Sequence, residues 1–478
     1  MTVGCGAGGG ESEYGAAAAE PAAVESGSDA AVAAPATRTF AASSAAPASS
    51  SPSTAWPRPT GPVITADPSN YLARVRALKP GDTLRLAPGN YDNPNDVPGL
   101  PLFNLAGTAS KPILITGPES GAPARILGRS THNTVRLDGS SYVIVRNLEI
   151  DGRNSGAVGV AAQGSNHHIW LENLYIHGVG NNQQIAGIST VSAPNWNWVI
   201  RGNTIVGAGI GMYLGNSDGR NAFIAGTIEN NLIRDSIGYN LQIKHQNPRP
   251  ALAGMPTGKS VTVIRYNVFS KGSNSSTGSM ARPNVLVGHF PSSGPGSDDH
   301  YEIYGNFFWQ NPTEALFQGA GNIALYANVM ASSTGAAINI QPHEGGVPKT
   351  IRVFGNTVIA KTSGIRITGG AAGYVQRVQG NAVFSSTPIS APDQPANVTA
   401  AYALATNYLT APFAALGSFD PFPKAGGALS GSTIDTAGLS VYGDWDHDFN
   451  GRARNWSMRG AYSGTGINPG WKPVLLSR

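Results

Sequence analysis

The segment Ile200-Arg201-Gly202-Asn203-Thr204-Ile205 decides how the chain reads. Two or three β-formers lead to a small residue and an asparagine, and further apolar residues follow. The pattern recurs at Val145-Arg146-Asn147-Leu148 and Leu171-Glu172-Asn173-Leu174, then around Asn231, Asn267, Asn306, Asn328, Asn356 and Asn381. Successive asparagines are 26, 30, 28, 36, 39, 22, 28 and 25 residues apart, a mean near 29. A period of this length is the signature of a solenoid. Helical repeats would need amphipathic runs at period 3.6, and none accompanies these asparagines.

A second strand follows each asparagine strand, as in Gly209–Leu214, Asn240–Lys244 and Ala337–Gln341. Alternation at period 2 sends the aliphatic members inward and the others outward. Asparagine suits the bend between strands because it tolerates the left-handed region, and stacked asparagines can bond from coil to coil. The expected fold is all-β: a single-stranded parallel β-helix with coils stacked ~4.8 Å apart. At its start, Asp67-Pro68 predicts the N-cap and first position of a short helix carrying Tyr71, Leu72, Val75 and Leu78 on one face. Such a helix would cap the open end of the solenoid.

Composition agrees. Charged residues are 13% of 478, glycine contributes 61 positions, and the 41% hydrophobic content is enough for a sizeable core. Sparse charge argues against coiled coils. The net charge of +4 is too small and dispersed for a nucleic-acid binder, yet it leaves room for a polyanionic glycan. No apolar run reaches the ~18 residues of a membrane-spanning helix. Three regions emerge: an Ala/Ser/Pro/Gly-rich leader or linker at 1–62, the β-helix at 63–392, and an irregular tail packing on it at 393–478.

Leu78-Lys79-Pro80-Gly81-Asp82-Thr83, then Pro88-Gly89-Asn90-Tyr91 and Ala109-Ser110-Lys111-Pro112-Ile113, resemble the N-terminal segment of right-handed parallel β-helix proteins of the pectate lyase-like superfamily. The resemblance spans roughly 63–390 and implies that fold with an N-terminal capping helix. It is weak for activity, since the superfamily hosts lyases, hydrolases, epimerases and non-catalytic adhesins. The head of the chain, Thr2-Val3-Gly4-Cys5-Gly6, resembles a bacterial lipoprotein cleavage site, making Cys5 a lipidation candidate and the expected location secreted or envelope-attached. The basic and apolar regions of a signal peptide are missing ahead of it.

The two longest intervals require loops at about 244–259 and 271–282, and loops on a rigid scaffold are where sites are built. The outward set there is Tyr213, Asn240, Gln242, Lys244, His245, Arg249, Arg282, Asn284, His289, Glu314, Gln318, Asn339, Gln341, His343 and Arg366. Uronate β-elimination needs a base, a cation or donor set for the developing enolate, and an acid for the leaving oxygen. Lys244 is the expected base, kept neutral by Arg249 and His245, with Arg282 on the carboxylate and Tyr213 or His289 as acid. Asn240, Gln242, His245, Arg282, Asn284, Gln318, Asn339 and His343 are the expected substrate contacts. Lyases of the chondroitinase B, alginate lyase and family-nine pectate lyase types resemble this in using a lysine base on a β-helix face, with Ca²⁺ held by acidic groups. No acids flank Lys244 here, so no metal ligands are assigned, although Ca²⁺ is kept open as a cofactor. Asp446-His447-Asp448-Phe449-Asn450-Gly451 is half a calcium loop whose closing glutamate is replaced by Ser457. Gln341-Pro342-His343-Glu344 echoes the D-P-H-E motif of mannuronan epimerases with Gln341 in place of the catalytic acid. Of the outward strand positions only Glu314 is acidic, which speaks against paired-carboxylate hydrolysis. Trp196 with Trp198, and Phe307 with Trp309, offer sugar-stacking surface. The expected protein is a monomeric lyase on an acidic polysaccharide. The alternatives are a non-catalytic glycan-binding β-helix and, behind it, a uronan C5-epimerase.

Overall fold

The computed structural model describes residues 58–93 and 98–478. The leader and Cys5 lie outside these residues. Each coil contributes one strand to each of three parallel sheets, as in Val199–Arg201, Thr204–Val206 and Ile210–Leu214. The first sheet has 14 strands, the second 12 and the third 11, stacked in chain order. Parallel strands joined by crossovers take the right-handed sense that strand twist dictates. Inward residues such as Ile200, Ile205, Met212, Ile228, Ile233, Leu241 and Ile243 are fully buried in one continuous core.

The cap forms as a helix at Tyr71–Arg76, with Tyr71 and Val75 buried. Asp67 is not its side-chain cap: its carboxylate accepts from Ser69, and the intervening turn ends at Asn70. The Tyr71 hydroxyl donates to Gly99 O at 2.7 Å, fixing the cap over the first coils.

The asparagine repeat is a buried ladder, and its phase differs from the sequence reading at the first two members. From Asn203 through Asn231, Asn267, Asn306, Asn328, Asn356 and Asn381 to Asn397, each side-chain Nδ2 donates to the next Oδ1 at 2.9–3.0 Å. Asn147 and Asn173 sit one position earlier, at φ near +50°, where later coils place Gly202, Asn230, Tyr266 and Gly305. Leu148 and Leu174 hold the ladder position instead, and Leu174 N–H donates to Asn203 Oδ1 at 2.9 Å. The left-handed bend and the ladder are therefore adjacent positions; asparagines at the bend can bond too, as Asn173 Nδ2 donates to Asn147 Oδ1 at 2.8 Å, but only the second position carries the continuous buried ladder.

The chain after the last solenoid strand, Val398–Ala400, straps two of the three outer faces. Phe419, Phe422, Phe449, Met458 and Tyr462 cover Val268, Phe307, Val329 and Phe384 of the second sheet. Leu439, Tyr442, Trp445 and Trp456 cover Tyr266, Tyr304, Tyr326 and Phe354 of the first. Neither apolar cluster includes the outer face of the third sheet. Among the described residues no helix is long and apolar enough to cross a membrane.

Candidate functional site

Strand pairing lines up Tyr213, Gln242, Leu286, Gln318, Asn339 and Arg366 across the third sheet. At ~4.8 Å per coil this row runs for roughly 24 Å. Extra chain leaves the coils beside it at 244–260, and the longest interval divides its excess between 271–284 and 288–299.

At the C-terminal edge of the row the chain makes a two-residue hairpin. His343 and Gly346 exchange backbone hydrogen bonds at 2.9 and 3.0 Å, with Glu344 at φ 48° and Gly345 at φ 81° between them. Both central residues are left-handed, the pattern that normally selects asparagine or aspartate followed by glycine. Glutamate there is strained, by about 1–3 kcal/mol for such a residue. Its carboxylate supplies the compensation: Oε1 accepts from Lys244 Nζ, and Oε2 lies 2.6 Å from His245 Nδ1. His343 Nε2 is 3.9 Å from the same carboxylate. His289 lies beneath the hairpin, with Nε2 3.1 Å from Glu344 O and its ring stacked on His245 at 4.9 Å. Four candidates from three coils thus converge on an acid that the sequence reading passed over, because the Gln341–Glu344 motif was judged by its first residue.

Burial raises the proton affinity of Glu344, but hydrogen bonds from His245 and Lys244 outweigh it and bring the carboxyl down to about 2. The pair therefore contributes stability above the ordinary value of 4.5, and loses it as pH falls toward about 2. Glu344→Gln should accordingly lower Tm at neutral pH, and the difference from wild type should shrink through that acid window. A constant difference would show that the carboxylate charge is not what holds the hairpin. His343, half-buried, is lowered from 6.5 by burial, with Glu344 opposing and Lys244, His245 and His289 adding to the shift.

At the N-terminal edge of the row stands Tyr239, half-buried under the Arg282 guanidinium, which lies 5.8 Å from its ring. Burial pushes its phenol up to about 12; Arg282 opposes, and Glu344, Tyr213 and Glu314 reinforce. Tyr239 thus shares the electrostatic environment of the hairpin. Arg282 is held by Ser279 O and Ala281 O and has no carboxylate partner among the described residues. Lys271, buried nearby, donates to Arg282 O at 2.8 Å and is lowered to about 8 by burial, with Glu314 opposing and Arg282 assisting. Burial beside a guanidinium, the environment expected for Lys244, is therefore found at Lys271, which loop 271–284 covers.

Several sequence-predicted positions lie elsewhere. Arg249 does not face Lys244: it is buried against Asp299 and donates to Pro256 O at 2.8 Å and Gly258 O at 3.2 Å. Lys244 itself is only 7% exposed and beside a carboxylate, not a cation. Asn240 and Asn284 are fully buried corner residues bonded to Ser270 O and Gln310 O, not groove contacts. Gln242 is nearly covered by its neighbours in the row; Gln318 and Asn339 remain half-exposed. Tyr213 turns its hydroxyl to Ser217 at 3.0 Å. Trp196 and Trp198 are buried, as is Phe307, whereas Trp309 is half-exposed. Among the described residues there is no group of three or more His, Cys, Asp or Glu that could hold a metal. In the half calcium loop, Asp448 accepts instead from the backbone amides of Asn450, Arg452 and Ser463.

No protein-family model and no curated protein sequence matches the chain. Among solved structures it is similar to an alginate lyase from Paenibacillus sp. str. FPU-7, at 16% identity over 70% of this chain and 97% of that one, TM-score 0.44. It is also similar to pectate lyase Pel9A, at 14% identity over 86% and 92% of the two chains, TM-score 0.42. A GH136 lacto-N-biosidase from Eubacterium ramulus is similar at 14% identity over 71% and 68%, TM-score 0.40. The parallel β-helix itself stands on this chain's own strand pairing.

Proposed function

We propose that the third-sheet face binds an acidic polysaccharide and cleaves it by β-elimination, with His343 as base and Tyr239 as proton donor. The observation that supports this is that burial shifts the two groups in opposite directions near the Glu344 hairpin. His343 is held toward its neutral, accepting form, and Tyr239 toward its protonated, donating form. Environments that push two titratable groups apart are how acid and base roles are divided. His343 removes the proton α to the uronate carboxylate, the C–O bond to the neighbouring sugar breaks, and Tyr239 protonates the departing oxygen. The imidazolium so formed stands 3.9 Å from Glu344. Arg282 balances the uronate carboxylate, and Gln318 and Asn339 offer hydrogen bonds along the row. Lys244 and His245 hold Glu344 and through it the hairpin, which makes them positioning residues here.

A second reading, a glycan-binding β-helix without catalysis, is favoured by the burial and pairing of Lys244, which leave the base first expected without its required surroundings. Either reading puts the protein where polysaccharide is, secreted or attached to the envelope. The deciding experiment follows unsaturated-uronate absorbance with pectate, alginate and glycosaminoglycans, wild type against His343→Ala. New absorbance lost in the variant is expected. Binding without absorbance would favour the second reading, and altered sugar configuration without cleavage would mark an epimerase.

A further inference from the structure

The second sheet carries an aromatic cleft that the site above does not use. Phe307 and Trp309 both point outward, and the tail covers Phe307 with Phe419 at 5.8 Å and Trp471 at 6.1 Å. One alternation further on, Phe419 meets Trp309 only edge-on, at 4.9 Å, and Trp309 stays half-exposed. The tail then supplies an opposite wall, in which Tyr402 and Phe413 lie 4.7 Å apart and Phe413 is 43% exposed. Between them is a cleft of about 310 Å³ with Gln310, Ser332 and Ser333 at its polar rim. Gln310, at φ 54°, fixes its Oε1 on Ser333 N at 2.8 Å and Ser333 Oγ at 3.0 Å. Its Nε2 has no hydrogen-bond partner among the described residues. Lys361 places its ammonium 5.0 Å from the Tyr402 ring centre.

We propose that this cleft is a distal sugar-binding site, taking a pyranose ring of the same acidic glycan by stacking on Trp309 and Phe413, with Gln310 on its hydroxyls and Lys361 on its carboxylate. Aromatic faces combined with a few fixed polar groups are the make-up of such sites, because a sugar presents an apolar C–H face and a polar rim. The assignment rests on the acidic-glycan reading above. Its location supports one continuous path. Gln310 O accepts from Asn284 Nδ2 at 3.1 Å, and Asn284 leads directly into the third-sheet strand Val285–Val287. Five residues separate Ser333 of the cleft from Asn339 of the row. A glycan rounding the corner beside Arg282 passes from one surface to the other.

The test titrates short and long oligogalacturonates and oligomannuronates against the full chain, following tryptophan fluorescence and, separately, turnover. Wild type should bind long oligomers more tightly than short ones. Phe413→Ala should weaken long-oligomer binding about five- to tenfold and raise KM for long substrates without changing kcat, while short substrates are unaffected. Phe413→Tyr should restore both. Phe413 is exposed enough for its loss to spare the fold, and an unchanged melting curve verifies this; Gln310→Ala gives a second, non-aromatic variant. Unaltered long-oligomer binding in both alanine variants, or no binding of either oligomer class by wild type, overturns the proposal. Binding that depends on Phe413 without any turnover would support the cleft while removing the lyase reading. Turnover indifferent to Phe413 and Gln310 would do the reverse.

Discussion

His343→Ala is expected to lower kcat on the cleaved uronate polymer by roughly 10²–10⁴, the usual contribution of a positioned general base, with little change in KM. The residue caps the edge of the row and leaves Gln318, Asn339 and Arg282 in place, so ground-state binding should survive. Tyr239→Phe should produce a loss of similar order, because the phenyl ring still packs under Arg282 but has no proton to give. The pH profile separates this from a structural role. A base must be neutral, so activity is present above the lowered value of His343 and falls as pH drops through it, placing the acid limb below 6.5. A donor must be protonated, so the alkaline limb set by Tyr239 lies near 12, and the plateau spans neutral pH. An acid limb above 6.5 in wild type, or an unmoved limb in a His343→Gln variant with residual activity, would remove His343 from the base role.

The same residues show how far the sequence carries. Strand alternation placed Gln242, Gln318, Asn339 and Arg366 on one outer face because alternation within a strand is a strict consequence of backbone geometry. It failed at the strand end. The strand begins at Leu241, so parity does not extend into the corner: Asn240 turns in to cap carbonyls, and Tyr239, which the sequence reading did not single out, packs beside Arg282. The Lys244–Glu344 contact joins residues 100 positions apart and depends on a left-handed hairpin that local composition does not announce, since glutamate is a poor residue for it. Arg249 shares a segment with Lys244, and proximity in sequence suggested proximity of charge; the loop instead carries it to Asp299, 50 residues on. The ladder was legible as a period but not in phase, because asparagine occupies two adjacent positions, the left-handed bend and the buried ladder.

That division of labour yields the largest expected stability effect. Asn306→Ala removes the acceptor for two buried donors of the preceding coil, Asn267 N at 2.9 Å and Asn267 Nδ2 at 3.0 Å. It also removes the donor to Ile264 O at 2.8 Å and to Asn328 Oδ1 at 3.0 Å. Each buried group left without a partner costs about 1–3 kcal/mol, so a loss of about 3–5 kcal/mol is expected, read as a lower urea midpoint. Asn203→Ala should cost less. At the head of the ladder its Oδ1 serves one backbone donor, Leu174 N, and no side chain, because leucine holds the preceding rung. Asn230→Ala acts on the neighbouring left-handed position, φ 56°, and also removes the Nδ2 hydrogen bond to Arg478 O at 2.8 Å, so Asn230→Gly should relieve only the conformational part of the loss. Solenoid coils interact with their nearest neighbours, so the effects should stay local and depend on rung position rather than on residue type. Equal losses at Asn203 and Asn306, or a rescue of Asn306 by glycine, would mean that the asparagines act singly as bend residues and that the ladder contributes nothing of its own.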